Sequence, residues 1–396
     1  MSEKQKRNLS KAILLLLIVI ILVSTTKILL SMKYIKNDFM FVDDESYFHI
    51  REEEYILKNW KPLIHDKLSY SGHELSFLPG FDYILALLRL FFNDYFLHNI
   101  ILKFISSLIS LVVFLITYKI TKNTIVSLFS SIASLIMPIY FAFTTQSVTP
   151  TNISFLLLFS FIYSFIQLRE KPTKENTLLF MIILLITALT TQLFLVISIS
   201  LLFYTLLLRL DGFRKLSVEL EASVFSFIIG VFINIIFFKN AIVKNGWRVI
   251  IGNLPKQYLF DYLRIILHQP LLLLNSIGLL IVVLGVYSYY RYLFNKEAKK
   301  EYQIIYRYNY LFFAISTVAI ILLLLNVLGL INGLILIGIS LSISSGLAYH
   351  GILKGIKKTR FDKYIREFNI LLFVLLLLFM GISFSHESSN AKTNSM

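Results

Sequence analysis

Polar and apolar positions alternate along this chain on the scale of whole membrane crossings. Apolar runs cover Ala12–Ser31, Asn99–Tyr118, Thr124–Phe143, Ile153–Leu168, Thr177–Leu208, Val218–Phe238, Pro270–Tyr290, Tyr310–Leu330, Gly333–Ile352 and Asn369–Phe384. About 20 apolar residues are needed to cross the hydrocarbon as a helix, and most of these runs have that length. The Thr177–Leu208 run is about twice as long, with Thr190-Thr191-Gln192 at its middle, and reads as two helices meeting in a tight turn. The pattern therefore predicts an all-α polytopic membrane protein of about 11 transmembrane helices.

Basic residues orient those helices. Lys4, Lys6, Arg7 and Lys11 precede the first run, which has no small-x-small cleavage pattern after it and reads as a signal anchor over residues 12–31. Lys119 and Lys122, then Arg169, Lys171 and Lys174, then Arg209, Arg214 and Lys215 occupy alternate loops. The segment 291–307 and Lys354, Lys357, Lys358 and Arg360 continue the series. Positive loops stay in the cytoplasm, so the N-terminus is expected inside and the C-terminus outside. Residues 1–385 read as one transmembrane domain and 386–396 as a flexible tail. Two large outer loops remain, 32–98 and 239–269.

The first of these loops predicts short helices. One begins near Asp44 or Glu45, and Pro62, Ser71-Gly72 and Pro79-Gly80 break the chain after it. Phe81–Phe92 is apolar but too short to span; with Asp82 and Arg89 on one face, it reads as a helix lying in the interface.

Composition agrees with the pattern. The chain is 57% hydrophobic and 15% charged, with a mean hydropathy of +0.75, too little polar surface for a soluble protein of this length. It has no cysteine, which excludes disulfides and thiolate metal sites. Its net charge of +15 resides in short loops between apolar runs, so nucleic acid is not the expected partner.

Charge is distributed unevenly between the outer loops. The first holds 11 acids against seven Lys and Arg, together with four of the seven histidines. The second holds one acid, Asp261, against five Lys and Arg. An acidic loop beside a basic one on a single membrane surface can supply a general base and a phosphate clamp. Asp44, with Asp43 and Glu45 beside it, is the candidate base. His49, Arg51, His65, Asp66, His73 and Glu74 are candidate substrate contacts in the same loop, and Lys244, Arg248 and Arg264 in the other.

Each has a plainer reading. Asp43 or Asp44 suits a helix N-cap, and Glu52, Glu53 and Glu54 read as a solvated helix face. His49 is equally a plain interfacial histidine or a group that orients substrate or completes a metal site. Lys244 and Arg248 are as well placed to reach lipid headgroups as to clamp a phosphate, and Trp247 reads as an interfacial anchor. No HExxH or similar spacing marks a zinc site.

The run Asp44-Glu45-Ser46-Tyr47-Phe48-His49-Ile50-Arg51 resembles the signature of the GT-C superfamily of membrane glycosyltransferases, an acid just ahead of an aromatic-rich helix followed by His and Arg. Residues 62–72 are similar to the segment that follows it in oligosaccharyltransferase catalytic subunits, and the order of elements to about residue 170 is similar too. The resemblance implies an outer-face enzyme that takes a sugar from a polyprenyl-phosphate donor to an acceptor hydroxyl on a glycan, glycolipid or protein.

The chain also departs from that pattern. Thr145–Asn152 stands where oligosaccharyltransferases place an acidic metal-binding pair, and it holds no acid; a divalent metal is left open. The Trp-Trp-Asp motif is absent. Matching His49 to the family pattern picks Glu45 as the acid, whereas the Asp-Glu pattern of other members picks Asp44. Alternative readings are an O-antigen-type glycan polymerase or ligase, a non-catalytic GT-C-like partner subunit, or a lipid-glycan transporter. The last would carry charges near the midplane, and the expected spans show almost none besides Lys27.

Overall fold

A computed structural model describes residues 3–35, 41, 44–66, 73–213, 216–245, 276–294, 303–325 and 327–393. The chain is all-α. The strands among the described residues are two short ones, β1 (His65–Asp66) and β2 (His73–Glu74), paired antiparallel with His65 opposite Glu74 and Asp66 opposite His73.

Among the described residues, seven helices are long and apolar enough to cross a membrane, or eight counting a pair bent by 51°, which is compatible with an integral membrane protein. The chain divides into two compact units. One comprises Met1–Val23, Ser107–Ala142 and Gln257–Met396, the other Ser24–Ser106, Phe143–Lys256. Sequence pattern gives one domain instead, because the divisions at 23/24, 106/107 and 142/143 fall inside helices and no Gly-, Pro- or Ser-rich linker marks them.

Helix α1 (Glu3–Ile35) opens the chain. In the first unit its Ala12, Leu16 and Ile20 pack with Phe114 and Leu135. These come from α6 (Ile109–Thr121) and α7 (Thr124–Leu135). Lys122, in a left-handed conformation at φ 54°, ends α6, and the Asn123 side chain then caps α7 by accepting from the Ile125 and Val126 N–H groups. The same unit holds α13 (Leu279–Tyr289), α14 (Gln303–Leu324), α15 (Leu330–Lys357) and α16 (Ile365–Thr393). Helix α15 is buried along almost its whole length, packed against α13, α14, α7 and α6. Gly346 allows this closeness, since a methyl group there would overlap the Ser130 hydroxyl of α7. Helix α16 extends to Thr393, across most of the residues that polar composition sets down as a tail.

The second unit contains α2 (Asp44–Asn59), α3 (Gly80–Arg89), α4 (Asp94–Phe96), a π-helical turn Leu97–Ile101, and α5 (Leu102–Ser107) up to Ser106. Beyond α8 (Pro138–Gln146), which is joined to α7 across the 51° bend, it adds α9 (Thr151–Glu170), α10 (Lys174–Thr190), α11 (Leu193–Leu210) and α12 (Ser217–Asn245). The bend falls at Pro138, which cannot donate the backbone bond a straight helix needs. The break between α10 and α11 falls at Thr191-Gln192, where the polar triplet predicts it. Phe41, Phe81, Leu85, Leu102, Val148 and Ile153 form an apolar cluster beneath α3. Gly80 brings the start of α3 against the end of α10: a Cβ there would lie 2.5 Å from the Leu189 carbonyl oxygen.

Two expectations are corrected here. The Phe81–Phe92 run is helical only to Arg89, and its Asp82/Arg89 face is turned onto α2. Besides Lys27, a second lysine, Lys103, lies buried within a membrane-length helical stretch, Asp94–Thr121.

Candidate functional site

Helix α2 carries the site. Asp44 and Glu45 occupy its first turn, where the positive helix end favours carboxylates. Both are exposed. One turn on, His49 is buried, its ring edge-to-face with Phe48 and Phe81. Its Nδ1 lies 2.7 Å from Asp82 Oδ1 on α3, and its Nε2 lies 3.8 Å from Glu45 Oε1. A carboxylate open to solvent is thus backed by an imidazole, and the imidazole by a buried carboxylate. Burial acts to lower the His49 pKa, but the hydrogen bonds and charges of Asp82 and Glu45 outweigh it and raise it to about 9. Burial pushes the Asp82 carboxyl above its ordinary value, with His49 holding it down.

Other polar groups brace this relay. Ser46 is buried, and its Oγ accepts the Val148 N–H at 2.8 Å, tying α2 to the segment after α8. Arg51 donates to Asp66 Oδ2 at 2.8 Å and so joins α2 to β1. Glu52 and Glu53 correct the expectation of a solvated face, for both are wholly buried. Glu52 accepts the Leu63 N–H at 3.1 Å, and burial, only partly offset by that bond, raises its pKa to about 7. Glu53 lies 2.7 Å from His98 Nε2 on the π-helical turn and 3.3 Å from Arg89, which also pairs with Asp94. Glu53 finds its partners on α3 and the π-helical turn and Glu52 on the backbone at Leu63, which the periodicity of α2 alone does not reveal.

Of the residues singled out from sequence, the structure brings together Glu45 with His49 and Arg51 with Asp66. His65 is exposed on β1, and the backbone pairing sets it opposite Glu74 and Asp66 opposite His73. Asp43, Arg248, Arg264 and the side chains of His73, Glu74 and Lys244 lie outside the described residues. The sequence pattern places Asp82 on one helical face with Arg89, seven residues on, but gives no sign that it partners His49. Among the described residues, no group of three or more His, Asp or Glu is arranged to hold a metal ion.

No protein-family model matches the sequence, and no curated protein matches it either.

Proposed function

We propose that the chain is a polytopic membrane glycosyltransferase that moves a sugar from a polyprenyl-phosphate donor to an acceptor hydroxyl on the outer face of the plasma membrane. The Glu45–His49–Asp82 relay carries this reading. An exposed carboxylate held beside a buried, paired imidazole can take the proton of an attacking hydroxyl. The acceptor oxygen would bond to the anomeric carbon as the bond from that carbon to the phosphate oxygen breaks. The electron pair would leave on the phosphate, and the acceptor proton would pass to Glu45. Geometry favours Glu45 over Asp44, because among the described residues of the first turn it is Glu45 that lies 3.8 Å from His49 Nε2.

The reading also takes eleven spans with the N-terminus inside. To the seven long helices and the bent pair it adds α10, the apolar helix at 279–293 and α16. Residues 32–98 then lie outside, together with α2 and α3.

Proteoliposomes given a panel of polyprenyl-phosphate sugars and candidate acceptors test the proposal through release of polyprenyl phosphate. Glu45→Gln should lower turnover by about 100-fold or more, the scale of a lost general base. Asp44→Asn and Asp43→Asn should retain it, and parallel reactions with chelator show whether a metal takes part. Wild-type turnover in Glu45→Gln would remove the relay from the chemistry. Failure of the wild type with every donor and acceptor would favour the non-catalytic subunit instead.

A further inference from the structure

The end of α15 gathers cations from two parts of the fold. The helix closes with Lys354 and Lys357 in its last turn, both exposed. With His350 they stand at spacings of four and three, so all three share one face. Arg291, on the π-helical turn Tyr290–Phe294 that follows α13, reaches the same place. A Cβ on Gly351 would lie 3.0 Å from Arg291 Nη1 and 2.6 Å from the Tyr292 hydroxyl, so this glycine leaves the room that the guanidinium takes beside α15. Lys354, three residues on from Gly351 and four from His350, falls between them around the helix.

Helix polarity accounts for the lysines, since the last turn favours positive charge. It does not account for Arg291 or His350. Arg291 has five N–H donors to place, and among the described residues its polar partner is the Tyr287 hydroxyl, at 3.4 Å. His350 is 7% exposed, and its Nδ1 has no hydrogen-bond partner. From residue 350 to 367 the chain carries six Lys and Arg against two acids, Asp362 and Glu367. The connector beyond α15 is also fixed. Thr359 Oγ1 accepts the Phe361 N–H at 3.3 Å and donates to the Ile356 carbonyl at 2.7 Å, setting the 3₁₀ turn Arg360–Tyr364. Phe361 and Tyr364 stand more than half exposed on that turn, as aromatic side chains do at the headgroup level of a membrane.

We infer that this end of α15 binds the headgroup phosphate of an anionic phospholipid. Arg291 presents a guanidinium fork that matches two phosphate oxygens, and Lys354 and Lys357 add charge. His350 donates from Nδ1 in the tautomer that carries its proton there. The occupant is a lipid and not a free phosphate, because the surface continues from the exposed rings to the exposed apolar side chains Ile370, Leu371 and Val374 of α16, along which acyl chains can run. Basic pockets among helices at a cytoplasmic membrane surface are the general form of such sites. The inference rests on the membrane reading, which sets this end of α15 at the cytoplasmic surface, and not on sugar transfer.

Equilibrium binding of radiolabelled phosphatidylglycerol to the purified full chain in a non-ionic detergent tests the site. Phosphatidylcholine is the zwitterionic control, and glycerol phosphate is the competitor without acyl chains. Wild type should bind phosphatidylglycerol saturably and in preference to phosphatidylcholine. Lys354→Gln and Lys357→Gln, at exposed positions that leave folding intact, should each weaken binding about 5-fold, the scale of one basic side chain at an anionic surface. Arg291→Gln should weaken it about 10-fold, since the fork is lost with the charge. Lys171→Gln, in the exposed turn between α9 and α10, should bind as wild type. The inference is overturned if Lys354→Gln and Lys357→Gln bind as wild type, or if Lys171→Gln weakens binding as much as they do. It is equally overturned if phosphatidylcholine binds as well as phosphatidylglycerol, if glycerol phosphate displaces the lipid as well as unlabelled phosphatidylglycerol does, or if folded wild type binds no phosphatidylglycerol. No outcome involves turnover, so each is separable from the result for Glu45→Gln.

Discussion

His49 and Glu52 hold protons more tightly in the folded chain than they would unfolded, and both therefore make stability depend on pH in the same direction. His49 rises from 6.5 to about 9, so its contribution is complete below the lower value and is lost as pH climbs to the upper one. Glu52 rises from 4.5 to about 7, so its contribution is lost over that lower window. Melting temperature in detergent should fall across both windows. Glu52→Gln should flatten the lower one and His49→Gln the upper; profiles unchanged in both variants would show that these groups do not set the dependence. Asp82→Asn leaves His49 buried without its carboxylate, a loss of about 3 kcal/mol by the measure of broken buried pairs. The check is a lowered denaturation midpoint. The sequence announced His49 and Glu45 through their spacing of one helical turn. It did not announce Asp82, Glu52 or Glu53 as buried, because burial of an acid depends on partners elsewhere in the chain: Leu63 for Glu52, Arg89 and His98 for Glu53.

Individual elements were legible wherever a local rule decides them. The polar triplet at Thr190-Thr191-Gln192 ends one helix before the next begins, and Asn123 caps α7 as a short polar side chain at that position should. The bend at Pro138 is not legible in the hydropathy pattern, because the run around it stays apolar on both sides and hydropathy carries no direction. Two substitutions examine how elements meet. Gly80→Ala should cost about 1–3 kcal/mol, since the new methyl group meets the Leu189 backbone, which has no flexible end to move aside. Thermal denaturation of the variant measures this. At the α6–α7 turn, Lys122→Gly should instead stabilise by about 1 kcal/mol by relieving the left-handed conformation, seen as a raised melting temperature.

For the whole molecule, the orientation of the spans is the property most open to test, and the absence of cysteine leaves no background for labelling. Trp60→Cys, at an exposed position after α2, should react with an impermeant maleimide in intact cells. Lys171→Cys, between α9 and α10, should react only after permeabilisation. The opposite result would invert the topology and place the Glu45 relay in the cytoplasm. The division into two units was not legible, since it cuts through helices.

The enclosure of α15 has a further consequence for how the chain is made. Helix α7 packs on α15, with Ser130 against Gly346, yet α15 begins nearly 200 residues after α7 ends. At about 5–20 residues per second, α7 waits on the order of 10–40 s before that partner exists. The half-made protein thus leaves the Ser130 side of α7 without the helix that packs on it in the finished one.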